Sequence, residues 1–160
     1  MDFYSFIQII VTTAFAVSAM TLFSYAISAS YKELYKEPVL LTFVLIKLNL
    51  ELSLNTKKKA AWLIHYLIGL IFVLIYHFLW TKAILELSFL SGLLLGSLSG
   101  IVGIFGWLLI FKLAKYKPHI DFKGYYLQLF FAHIIFGVTA AAVYWIFAAL
   151  YLAVASMINS

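Results

Sequence analysis

The sequence predicts an all-α integral membrane protein: a four-helix bundle made of two tandem, parallel-oriented helical-hairpin repeats. Three observations predict it. Of the 160 residues, 66% are hydrophobic and only 11% are charged, where soluble domains carry about 25% charged residues. Four apolar stretches each reach the roughly 20 residues that a helix needs to cross a bilayer. The two halves of the chain also share a spaced pattern of histidine, glycine and tyrosine.

The first stretch runs from Phe3 to Ala29. It has no basic segment before it and exceeds an ordinary signal-peptide core, so it reads as a retained first helix. The others run from Ala60 to Trp80, from Ile84 to Phe111, and from Tyr125 to about Met157. None shows the alternation of a barrel strand, so all four are helices. The longer ones can tilt or project beyond the bilayer.

Between the first two spans lies an apolar segment, residues 38–54. Its first half reads as a short helix that starts at Pro38 and lies in the membrane interface. Its second half, from Lys47 to Leu54, alternates with period two and reads as extended. Lys47 and Glu51 in its middle disfavour a fifth crossing.

All basic charge comes from eleven lysines, with no arginine. The first connection holds Lys32, Lys36, Lys47, Lys57, Lys58 and Lys59; the third holds or borders Lys112, Lys115, Lys117 and Lys123. The second has Lys82 alone. The positive-inside rule then puts the first and third loops in the cytoplasm. A multi-pass protein of a bacterial inner membrane is expected, with both termini outside. Without guanidinium forks for phosphate or base edges, a nucleic-acid partner is not expected. The absence of cysteine rules out disulfides and thiolate chemistry.

Internal repetition organises the whole chain, residues 1–160, as one transmembrane domain. His65, Gly69 and Tyr76 recur as His133, Gly137 and Tyr144, an offset of 68 residues. In the first and third spans Ala14, Ser18, Thr21 and Ser24 pair with Gly96, Gly100, Gly103 and Gly106 at an offset of 82. Repeat 1 is residues 1–80, with the interfacial segment 38–54, and repeat 2 is residues 84–157. Parallel repeats are related by a pseudo-twofold axis along the membrane normal. His65 and His133 then lie at similar depth, roughly 9 and 15 Å of helix rise beyond Lys59 and Lys123.

Two sets of residues invite a role. Gly92, Gly96, Gly100, Gly103 and Gly106 fall on one stripe of the third span, and such stripes let membrane helices approach closely. Ala14 and Ser18 are their expected counterparts in helix packing. His65, Gly69 and Tyr76, with His133, Gly137 and Tyr144, form two like faces that could hold a planar cofactor. Paired imidazoles suit a b-type haem, and they could equally hydrogen-bond a quinone headgroup. The structural alternative is that each histidine bonds a Ser, Thr or Tyr on the neighbouring hairpin.

No catalytic triad, carboxylate pair, metal-binding motif or phosphate loop is present. No Asp, Glu or Lys lies deep in a span, which argues against cation-coupled transport. The expectation is a non-enzymatic membrane protein with the bilayer as its solvent. It would be a subunit or scaffold of an assembly, with a membrane-protein partner or a second copy, or a binder of a lipid-like ligand. A redox protein carrying haem or quinone is the alternative, and a small-solute transporter or channel a further one.

Overall fold

The computed structural model describes residues 3–158, and among these every regular element is helical. The elements are α1 (Phe3–Tyr31), α2 (Glu37–Lys47), α3 (Leu54–Thr81), α4 (Phe89–Leu113) and α5 (Phe122–Ile158). Four of them, all but α2, are long and apolar enough to cross a membrane. At most 39% of the most apolar window of each is buried within the molecule. The remaining faces present residues such as Leu63, Ile71, Leu98, Phe105 and Ile146 outward. In water such a surface would drive association, so lipid is its solvent. The protein is a polytopic membrane protein.

Local chemistry sets the helix ends. The span expected from Ala60 begins at Leu54, because the Ser53 side chain caps the Thr56 amide at 3.1 Å and admits Lys57, Lys58 and Lys59 into the first turns. The span expected from Ile84 begins at Phe89. There Ser88 and Ser91 cap each other's amides, both at 3.1 Å, in a reciprocal box. Residues before it form the hairpin connection, where Ala83 takes a left-handed φ of 51°.

Neighbouring spans run antiparallel. Against α1, α3 places Gly69 at Val17 and His65 at Thr21. Across the α4–α5 seam, Gly92, Gly96 and Gly100 lie against Gly137, His133 and Phe130 in that order. A Cβ on Gly96 would lie 2.5 Å from the His133 carbonyl oxygen, and one on Gly92 2.8 Å from that of Gly137. Helix α5 also packs along α1, from Ser24 with Gln128 to Tyr4 with Phe147. One core cluster surrounds Val17, Val73, Phe136 and Tyr144; a second, at the lysine-rich end, joins α2 to Trp107, Phe111, Tyr125 and Leu129.

Three expectations need correction. Ala14 is exposed, and Thr13, Ala16, Val17 and Met20 form the buried face of α1 instead. The polar side chains of α1 mark that face, since Gln8, Thr12, Thr13, Thr21, Ser24 and Ser28 are all buried while Ile10, Phe15 and Leu22 face outward; the spacing matched to the α4 glycines selected Ala14, one position off it. Gly106 leaves the packing stripe: a Cβ there would meet nothing within 4 Å. The short helix in segment 38–54 is present, but α2 does more than rest on the surface, since Glu37, Pro38, Leu40, Leu41 and Val44 are all buried. Its 11 residues span roughly 16 Å, too short to cross.

Candidate functional site

The feature that the spans alone do not announce is Glu37. It opens α2 immediately before Pro38, whose missing amide is harmless in a first turn, and it is only 2% exposed. Its Oε1 accepts from the Ser24 hydroxyl of α1 at 2.9 Å and from Gln128 Nε2 of α5 at 3.4 Å. Gln128 Nε2 also donates to Ser24 Oγ at 2.6 Å. Glu37 Oε2, Gln128 Oε1 and the Tyr125 hydroxyl are buried with no hydrogen-bond partner. No cation meets the carboxyl among the described residues: Lys36, next in sequence, is turned onto the Tyr25 ring, 4.8 Å from its centroid. Burial pushes the Glu37 carboxyl up to about 7, against the smaller opposing effect of its hydrogen bonds.

Glu37 lines a cavity of about 170 Å³. Its walls come from all five helices, with Met20, Leu41, Phe72, Trp107 and Phe136 among the apolar residues and His65 and His133 as the other polar ones. Helices α3 and α4 are tied at the end far from the lysines, by Tyr76 to Ser99 at 2.6 Å and Trp80 Nε1 to Ser91 at 3.1 Å. The cavity lies on the lysine-rich side of these ties, with His65, Ile68, Gly69 and Phe72 of α3 and Val102, Gly103, Gly106 and Trp107 of α4 in its wall. Ile68 on α3 and Val102 on α4 line it and are themselves 39% and 57% exposed, so its mouth faces sideways. In a bilayer, sideways means the acyl chains.

Hydrogen bonds fix the histidine tautomers. His133 Nδ1 lies 2.8 Å from the Leu129 carbonyl oxygen, which can only accept, so Nδ1 carries the proton. Its Nε2 lone pair then faces the Gly103 backbone, where a Cβ would come within 2.9 Å. The Thr21 hydroxyl donates to the Val17 carbonyl at 2.7 Å and therefore accepts from His65 Nε2–H at 2.9 Å, leaving the His65 Nδ1 lone pair. Both neutral imidazoles keep an acceptor nitrogen.

Of the six residues expected on the ligand faces, His65, Gly69 and His133 line this cavity. Tyr76, Gly137 and Tyr144 lie outside it. Tyr76 bonds Ser99, Gly137 packs on Gly92 and Gly96, and Tyr144 bonds His77 Nδ1 at 2.9 Å. A tyrosine eleven residues from its histidine lies about 16 Å further along the helix and cannot share a ring-sized site. The histidines also differ from the expected hydrogen-bonding. His65 does find a threonine, but on the helix of its own hairpin, and His133 bonds its own helix.

No protein-family model, curated protein or solved structure matches the chain. Its chemistry has to be read from the cavity.

Proposed function

We propose that this is a non-enzymatic membrane protein that binds a lipid-like ligand, admitted from the bilayer between α3 and α4. The observation that carries the reading is the cavity between α3 and α4, apolar along its walls and polar only at Glu37, His65 and His133. Ligand sites have this character in general: mostly apolar linings with a few convergent polar groups. A dry cavity of roughly 150 Å³ holds benzene. The volume here of about 170 Å³ therefore suits a single ring or a compact headgroup, with an acyl-like tail left in the lipid. That size favours a quinone-like or amphiphilic ligand over a haem macrocycle.

The lysine distribution supports an arrangement with both termini outside and the polar end of the cavity toward the cytoplasm. Two tandem repeats fit the way the histidines are seated. His65 meets Thr21 and His133 meets Gly103, and these two partners are equivalent at the offset of 82 residues. With glycine in place of threonine in the second copy, no hydroxyl engages His133 Nε2 and the ring packs directly on the α4 backbone.

The test is native mass spectrometry of protein extracted from membranes, beside Gly106→Trp, whose new side chain would occupy the mouth. A small amphiphile retained by the wild type and lost from the variant supports the reading. Identical lipid complements on two equally folded proteins would overturn it.

A further inference from the structure

We propose that the cavity is a site for a lipophilic organic ammonium ion, with Glu37 as its counter-ion. The proposal rests on the lipid-like ligand reading above and names its headgroup chemistry. The polar side chains that line the cavity offer acceptors: Glu37, one of whose oxygens has no partner, and His65 and His133, each with an imidazole nitrogen outside its hydrogen bond. A ligand that satisfies acceptors must bring donors. An ammonium brings up to three, together with the charge that a buried carboxylate lacks.

The walls suit such a guest. Phe72, Trp107 and Phe136 line the cavity, and aromatic faces attract a desolvated cation. No lysine lines it to compete, and Lys36 is occupied by Tyr25. An anionic headgroup would meet a carboxyl and find no cation among the lining residues. The mouth between Ile68 and Val102 lets an alkyl or aryl tail remain among acyl chains while the headgroup reaches Glu37.

Binding then has a defined proton balance. An ammonium from solution that pairs with protonated Glu37 displaces one proton to bulk water, and no bond other than O–H is broken. Affinity falls up to tenfold per pH unit once the carboxyl is protonated. The groups facing it act in the same direction or not at all. His65 and His133 would repel the ligand if they became charged at low pH, while Ser24 and Gln128 are neutral, and Tyr125 and Tyr25 are neutral below their phenolic range.

The experiment titrates purified full-length protein in phosphatidylcholine nanodiscs with 4-phenylbutylamine and with its neutral isostere 4-phenylbutanol. Heat is recorded between pH 5.5 and 8.5 in two buffers of different ionisation enthalpy. The expected result is amine binding at least tenfold tighter than alcohol binding at pH 8. It should weaken below pH 7 with release of up to one proton, and Glu37→Gln should abolish both the preference and the proton release. Equal affinity for amine and alcohol overturns the ammonium proposal, as does wild-type amine binding without proton release at pH 6. The second measurement needs no variant and stands even if Glu37→Gln does not fold. Gly106→Trp separates the two levels. If it blocks an alcohol that binds as well as the amine, the lipid-like ligand reading holds and only the charge assignment fails. If it blocks neither ligand, both fail.

Discussion

Substituting Glu37 by glutamine keeps the shape of the side chain and removes its charge, and the structure sets both the sign and the size of the effect. Burial raises the folded-state carboxyl from 4.5 to about 7, so between these values the folded protein holds a proton that the unfolded chain has released. Stability therefore falls as pH rises through this window. It is highest below about pH 4.5, where both states are protonated, and levels off above about 7. At 1.36 kcal/mol per unit the full difference is on the order of 3 kcal/mol. The glutamine variant should match the wild type near pH 4.5 and exceed it at pH 8. In melting temperature the gain is roughly 6–12 °C for a chain of this size. Differential scanning fluorimetry of both proteins in one detergent, without amines, measures it, and subtracting the curves cancels the other titrating groups. A difference that is flat with pH, or a variant less stable at pH 8, would show that the carboxylate is ionised and held by partners, and the argument would fail.

Other substitutions separate packing from cavity. Gly96→Ala should cost about 1–3 kcal/mol, because its Cβ would lie 2.5 Å from the His133 carbonyl oxygen and the helices must part; a thermal melt detects the loss. Gly106→Ala should leave stability unchanged or raise it by up to about 1 kcal/mol, since its Cβ meets nothing and alanine favours the helix. Thr21→Val removes the acceptor for His65 Nε2–H and should cost about 1 kcal/mol. A melt that does not move for Thr21→Val would show that this hydrogen bond contributes nothing. Cysteines placed near Lys58 and Lys82 should label from opposite sides of sealed vesicles, with the Lys58 site cytoplasmic; the reverse pattern would invert the proposed orientation.

The spans were legible because length and apolarity are local properties of a segment. The four helices lie where the sequence puts them; the largest shifts, of six and five residues, are at the ends that serine caps set, Ser53 and Ser88, and the other ends moved by three residues or fewer. Which face of each span turns inward was far less legible. On α1 the mark is polarity, since Gln8, Thr12, Thr13, Thr21 and Ser24 are buried while Ala14 meets lipid, and a pairing based on small residues alone passes over it. On α4 the mark is glycine, because close approach needs it: Gly92, Gly96 and Gly100 lie on the α5 backbone.

The site was half legible. His65 and His133 stood out as ionisable groups in apolar helices, and both reach the cavity. Glu37 was hidden because it lies between spans, among charged neighbours such as Glu33 and Lys36, where an acid is ordinarily solvated. The signal that could have found it is its position as the first residue of an apolar helix too short to cross, which must bury its inner face on something. The spans carry no deep carboxylate, and α2 delivers one to the cavity from outside them.

Opening of the cavity to the hydrocarbon phase is the claim on which the functional reading depends, and Trp107 reports on it. This indole lines the cavity and is itself only 7% exposed. With Trp62, Trp80 and Trp145 replaced by phenylalanine, Trp107 becomes the only tryptophan. Reconstitution into vesicles whose acyl chains carry bromine should quench its fluorescence strongly, aqueous acrylamide should not, and Gly106→Leu should relieve the bromine quenching. Quenching by acrylamide with none from brominated lipid would mean that the cavity between α3 and α4 opens to water, and the account would be contradicted.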